Sequence, residues 1–467
     1  MRFSLLILFF LFSFLSTGQV TINGFAPAYV GKTIQAFRVL DFFSHKEEMV
    51  ASTTVKDDST FTLYFNSDYT QKIIIKSNNN EGFLLVQPNA TYTIDLPEKD
   101  KYTPYRPDGN QVEIGFYNLD STDINYKILG FQRWVDYFLG NNYHLKSTEP
   151  LEFTENMDRF KLRVEKAYKS DSSTYLKTHI KFTFASLDNI QTAAERNRYE
   201  KHDFYIKYTP VQYHNETYMQ YISDFYQKMM PRLPSKTNQA VYEAILNSSP
   251  TLMMKALGTE YTLINLRIRE MIMIKTLSEI YYSDDYPQTN IITILDSLSN
   301  KCLFKENEII AQNLKSRITA LVPGGQAPSF VLMAKEMESK TISSFSGKYI
   351  YFHFFDPESE ESAKELPLLV EMYSKYSSYI DFVSIVRENS QFTEIASKRI
   401  NDLPWDVYPI KSSNSIWKNY QVESLPLYVL IDAQGYIVAS PALGPKPNGQ
   451  YQTIDRTFFY IKKAMEK

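Results

Sequence analysis

Sulfur chemistry is almost closed to this chain, because its 467 residues include a single cysteine, Cys302. One thiol cannot close an internal disulfide, so stability must come from packing even in an oxidising compartment. A lone cysteine is also more often a small buried residue than a nucleophile. Histidine is scarce: the six at positions 45, 144, 179, 202, 214 and 353 include no pair at helical metal-ligand spacing, which argues against a zinc enzyme. No metal or other cofactor is expected. The sequence has no Gly-x-Ser-x-Gly elbow, which argues against a serine hydrolase built on Ser359 and His353. It also has no phosphate loop and no Gly-x-Gly-x-x-Gly. Charge of one sign is missing as well, with 50 basic residues against 53 acidic ones, so no nucleic-acid partner is implied.

The one long apolar run lies at the start. Met1-Arg2, the stretch Leu5 to Leu15 and the small residues Ser16, Thr17 and Gly18 have the three regions of a secretory signal. The run is shorter than the roughly 20 residues needed to span a bilayer. Residues 1–18 are therefore expected to be removed, leaving Gln19 first, 49 basic residues against 53 acidic ones and no transmembrane segment. No cysteine stands near that junction, which excludes a lipid anchor there. The 35 tyrosines and 31 phenylalanines are expected to fill cores and seams; a carbohydrate-binding surface of exposed tyrosines is the other reading.

The hydrophobic period changes twice along the mature chain. Short alternating runs at Thr33–Val39, Met49–Val55, Phe61–Phe65, Lys72–Ile75, Phe83–Val86 and Tyr92–Leu96 predict a small antiparallel β-sandwich over residues 19–117. A charged stretch, Pro97 to Asp108, leads away from it. Helical spacing follows over residues 118–322, with roughly eight helices. Leu263 to Tyr282 is apolar around most of its circumference, so it belongs inside a bundle, with Met271 and Met273 as core filler. In residues 323–467, strands at Lys348–Phe355 and Tyr379–Val386 alternate with helices at Glu358–Tyr376 and Phe392–Ile400. A helix at Ser415–Tyr420, a hairpin formed by Leu427–Asp432 and Tyr436–Ser440, and a closing helix complete an α/β layer pattern.

Six phrases stand in order along this third part: Gly325-Gln326-Ala327-Pro328-Ser329-Phe330, Gly347-Lys348 leading into Tyr349 to Phe355, Glu365-Leu366-Pro367, Trp417 and Tyr420 before Val422 and Leu425-Pro426, Leu430-Ile431-Asp432, and Gly435-Tyr436-Ile437. Through them the part resembles the thioredoxin-like TlpA/ResA and AhpC/TSA group of exported bacterial proteins, the first phrase resembling that group's opening hairpin. The resemblance implies a thioredoxin-like fold with a cis proline at Pro426 facing the active-site motif, and with Leu425 and Pro426 forming a loop that faces a bound peptide.

The family's Cys-x-x-Cys would fall eight and five residues before Pro367, where this chain has Ser359-Glu360-Glu361-Ser362. Thiol–disulfide exchange needs a thiolate, and a serine hydroxyl stays protonated and cannot form the mixed disulfide. The same argument removes a peroxidase. Asp356-Pro357 reads as a helix cap followed by a first-turn proline, with Glu358, Glu360 and Glu361 favoured by the helix dipole rather than arranged for calcium. The reading is a non-catalytic binding or scaffold protein of the periplasm or outer-membrane periphery of a Gram-negative bacterium, engaging protein partners. A TlpA/ResA-like oxidoreductase relative that recruits a thiol from elsewhere is the alternative.

Overall fold

The computed structural model describes residues 18–77, 80–98, 111–190, 197–281, 283, 285–333, 339–345, 347–388, 392–411, 414–422, 425–447 and 452–466. The expected leader, apart from Gly18, lies outside the described residues, as does most of the charged stretch after Pro97. Among the described residues, no helix is long and apolar enough to cross a membrane. The described residues form two compact units, one of residues 18–98 and 112–226 and the other of Gln111 and the residues from Gln227 onward, so the helical stretch is shared between them.

In the first unit, period-two burial builds eight strands: β1 Gln19–Phe25, β2 Thr33–Val39, β3 Glu47–Thr54, β4 Thr60–Asn66, β5 Gln71–Ser77, β6 Asn80–Val86, β7 Thr91–Asp95 and β8 Gly115–Phe116. They pair as two four-stranded sheets, β4-β1-β7-β8 and β3-β2-β5-β6. Both sheets contribute alternate residues to one core, including Ile22, Ile34, Phe61, Ile75, Val86 and Tyr92, which is the sandwich expected from the alternation. One pairing departs from the antiparallel expectation, because β1 runs parallel to β7. The chain returns to β1 only after both sheets have formed, so a local hairpin rule could not anticipate it.

Helices follow: α1 Ile124–Asn142, α2 Leu145–Thr148, α3 Pro150–Tyr168, α4 Thr174–Asp188, α5 Arg198–Lys201 and α6 Glu216–Phe225. Asn125 ties α1 to the sandwich, accepting from the Leu85 N–H at 2.8 Å and donating to the Leu85 carbonyl at 2.7 Å. The second unit continues with α7 Ser235–Leu246, α8 Pro250–Leu257, α9 Leu266–Ile280, α10 Gln288–Lys301 and α11 Lys305–Thr319. Over residues 118–322 the described residues thus hold eleven α-helices, besides short 3-10 and π-helical turns, where roughly eight helices were expected; α2 and α5 are single turns too short to show a period. Helix α9 is buried on nearly every side, with Met271 and Met273 fully covered, as its all-round hydrophobicity requires.

The last part forms β9 Leu332–Met333, β10 Ser339–Lys340, β11 Tyr349–Phe354, α12 Glu360–Ala363, α13 Leu366–Tyr376, β12 Ile380–Arg387, α14 Glu394–Asn401, β13 Val407–Ile410, α15 Ser415–Asn419, β14 Leu427–Ile431, β15 Ile437–Ala439 and α16 Asp455–Met465. Its sheet has the order β13-β12-β11-β14-β15, with β12 parallel and β14 antiparallel to the central β11. Alternation along β11 serves two cores. Phe352 and Phe354 pack with Trp417 and Tyr420 on one face, while Tyr351 and Phe355 pack with Leu369 and Phe458 on the other.

Three expectations change here. The opening hairpin is β9/β10, whereas Gln326 makes only a bridge to Tyr436. Strand β13 was not anticipated, since Pro409 weakens its signal; a proline is tolerated there because β13 is an edge strand. The single helix expected over Glu358–Tyr376 is two, since Pro367 has no N–H to donate to the Ala363 carbonyl.

Candidate functional site

The antiparallel register pairs His353 with Tyr428 and Phe354 with Leu427. Continuing it by one residue sets Pro426 across from Phe355, where β11 ends and the chain turns toward Ser359. The sheet therefore brings the Leu425–Pro426 segment to the end of β11 from which the chain runs into the Ser359–Ser362 turn. The Leu425–Pro426 peptide bond is cis.

Ser359, not Asp356, is the cap of α12: its hydroxyl accepts from the Ser362 N–H at 3.4 Å. Asp356 instead closes the preceding turn, accepting from the Glu358 N–H at 2.9 Å and, through its carbonyl, from the Ser359 N–H at 3.1 Å. The proline that follows Asp356 fits a turn as well as a helix start, which is why the cap was misplaced by three residues. Ser362 is fully buried, and its hydroxyl oxygen has no partner among the described residues.

The carboxylates around this turn are committed to neighbours. Glu358 accepts from the Thr393 N–H at 2.9 Å and from the Thr393 hydroxyl at 2.7 Å, and the Thr393 N–H holds its carboxyl below the usual range. Arg399 pairs with Glu360 and donates to the Pro357 carbonyl at 2.9 Å. Lys446 lies 3.1 Å from Glu361 and 3.4 Å from Glu365, and its contact holds the Glu361 carboxyl low. Two cations distant in sequence, Arg399 on α14 and Lys446 in the loop before α16, thus bracket the Ser359–Ser362 turn. No sequence signal marked Arg399 or Lys446, because only the fold brings them to the turn.

Beneath the turn is a buried polar column. His353 is sandwiched between the rings of Phe355, at 4.5 Å, and Tyr428, at 5.0 Å, both nearly parallel to it. Its Nδ1 is 3.1 Å from the Ser384 hydroxyl oxygen, which also accepts from the Trp405 indole N–H at 2.8 Å. The indole can only donate, so the Ser384 proton has His353 Nδ1 as its available acceptor. That assigns the imidazole proton to Nε2, which is buried without a partner among the described residues. Burial pushes the His353 pKa down to about 3, so the ring is neutral. Tyr428 donates its hydroxyl to Glu365. Among the described residues no hydrogen bond joins His353 to Ser359, so the pair does not form a nucleophile–base couple.

Cys302 lies elsewhere, just after α10, beside Glu270 and Glu308. Burial, reinforced by those two carboxylates, pushes its thiol up to about 12. A cleft of about 850 Å³ lined by Ile350, Phe345 and Asp432 lies at the opposite end of the sheet from Ser359, so it does not adjoin the turn.

Residues 347–437 match the family profile described as thioredoxin-like. The thiol-disulfide oxidoreductase ResA of Bacillus thuringiensis subsp. konkukian is 31% identical over 118 residues, which is 25% of this chain and 66% of that protein. ResA of Halalkalibacterium halodurans is 30% identical over 118 residues, covering 25% of this chain and 65% of the relative. The chain thus spans just under two thirds of the length of these curated relatives. Among solved structures, a thiol:disulfide interchange protein from Bacteroides sp. aligns with 19% identity and a TM-score of 0.26, over 32% of this chain and 93% of that one. A thioredoxin-like protein from Bacteroides caccae aligns with 14% identity and a TM-score of 0.33, over 58% of this chain and 96% of that one. The C-terminal part of this chain is a thioredoxin-like domain related in sequence to ResA-type thiol-disulfide oxidoreductases.

Proposed function

We propose that the protein is exported to the bacterial envelope, where its thioredoxin-like domain binds protein partners without exchanging electrons. The observation that carries this reading is the placement of the chain's sole thiol: Cys302 lies outside the matched region, and its thiol is pushed up to about 12. At neutral pH only on the order of one such thiol in a hundred thousand is ionised, against a few per cent for an ordinary cysteine. What supports this reading is that the cis Leu425–Pro426 bond stands where the resemblance puts a peptide-facing loop, while the Ser359–Ser362 turn has no thiol. Peptide recognition along a strand edge draws its affinity from backbone hydrogen bonds, which need no sulfur.

A second reading is favoured by the relatives, which are described as thiol-disulfide oxidoreductases. It requires a thiol brought to the site by another molecule or by Cys302. Insulin reduction with dithiothreitol separates the two. The binding reading expects no acceleration over the uncatalysed rate, while acceleration that disappears in Cys302→Ser supports the oxidoreductase. Affinity purification from the native envelope after mild crosslinking tests the binding role directly, and recovery of the protein alone and monomeric counts against it.

A further inference from the structure

The first unit has a second cleft, remote in sequence from the thioredoxin-like domain, of about 500 Å³ between α3, α4 and the turn at His202–Ile206. That turn is π-helical, the Lys207 N–H reaching back five residues to the His202 carbonyl at 2.9 Å. Such wide turns cost hydrogen-bond geometry and occur frequently at functional sites. The volume falls in the range that holds small organic ligands.

The lining has two chemically distinct parts. Val164, Ile180 and Phe184, all buried core residues, supply an apolar wall, and Phe204, 58% exposed, lines the cleft from the π-helical turn. The polar part is not neutralised evenly. Asp188 pairs with Lys161 and accepts the Tyr205 hydroxyl, so that carboxylate is fully occupied. Asp158 and Glu165 are exposed to water on α3. Lys181 is half-buried, and its ammonium donates at 2.6 Å to the Thr209 hydroxyl, a neutral oxygen. Among the described residues it makes no ion pair, and burial lowers its pKa. A partly desolvated cation beside an apolar wall is stabilised by an anion that brings an apolar body with it.

We propose that this cleft binds a small amphipathic organic anion, a carboxylate or sulfonate on a flat or aliphatic body, with Lys181 as the charge partner and Phe204 covering the apolar part.

The test is fluorescence titration of the full chain with 8-anilinonaphthalene-1-sulfonate, with dodecanoate as competitor. One saturable site is expected, displaced by dodecanoate but not by dodecyltrimethylammonium. Lys181→Met, which keeps the aliphatic stem, should weaken the probe at least tenfold, Phe204→Ala should weaken it severalfold, and Lys181→Arg should keep most of the affinity. Lys166→Met, on α3 but outside the lining, should leave binding unchanged. The absence of a saturable site, equal displacement by the cationic amphiphile, or equal binding by Lys181→Met and the wild type would overturn the proposal. If Lys181→Met lowers the melting temperature, the Lys181→Arg result decides: loss of affinity in a well-folded arginine variant would also overturn it.

Discussion

His353 is the only histidine after Tyr226, which makes the acid stability of the second unit a test of the buried polar column. In the folded state burial holds the ring neutral down to about pH 3, whereas in the unfolded chain it protonates near its ordinary value of 6.5. Between these values the unfolded state binds the extra proton, so stability contributed by the neutral ring is full above about pH 6.5 and is lost as the pH falls toward 3. Worked from the two values, the loss between pH 7 and pH 5 is about 2 kcal/mol. The lowered carboxyls Glu358 and Glu361 act mainly below their ordinary value of 4.5, so they contribute little in this window. Replacing His353 with Phe keeps an aromatic ring between Phe355 and Tyr428 and removes the titration. It deprives the Ser384 hydroxyl of its acceptor, which costs about 1 kcal/mol at neutral pH. The assay is urea unfolding followed by tryptophan fluorescence in a Trp134→Phe background, so that Trp405 and Trp417 report the second unit alone. His179 in the first unit has its own pKa pushed down to about 4 by burial, and this background keeps its contribution out of the signal. The parent should lose about 2 kcal/mol between pH 7 and pH 5 and the His353→Phe variant much less. Equal losses in the two proteins would refute the assignment of a neutral, buried imidazole.

Other outcomes follow from the same geometry. The Ser359→Cys/Ser362→Cys double variant should gain insulin-reducing activity clearly above background, and an inert, folded double variant would mean that the turn no longer has a reactive geometry. Native Cys302 should react with 5,5′-dithiobis(2-nitrobenzoate) at pH 8 at least about a hundredfold more slowly than the urea-unfolded chain, since burial and two carboxylates disfavour its thiolate. Phe352→Ala should destabilise the second unit by about 3–5 kcal/mol in urea, because its ring is fully buried against Phe330, Phe354 and Tyr420. Gly24→Ala should destabilise the sandwich by about 1–3 kcal/mol, since a Cβ there would meet the Phe61 ring at 2.0 Å.

Local signals were reliable where one period repeated undisturbed. Thr33–Val39 was bounded to the residue as β2, because alternate side chains of an amphipathic strand must face one core. Strand β13 and the division of the first helix of the thioredoxin-like domain were harder, since a proline disturbs each pattern. The cap at Ser359 was assigned to Asp356, as both residue types fit a helix start and only the backbone path distinguishes them. At the site, Ser359, Ser362, Leu425 and Pro426 were named from resemblance. The partners Arg399, Lys446, Ser384 and Trp405 were not, because nothing in their own neighbourhoods marks them.

By itself the sequence determined the chemistry that is absent: one cysteine, located outside the thioredoxin-like domain, rules out an intrachain dithiol however the chain folds. It also determined the succession of strands, helices and α/β layers, since hydrophobic period is a local property. Tertiary structure alone decided that β1 pairs in parallel with β7, that two distant cations bracket the Ser359–Ser362 turn, and that a histidine is held neutral beneath it. These depend on contacts between residues tens of positions apart, and on how completely folding removes a group from water, neither of which a local pattern encodes.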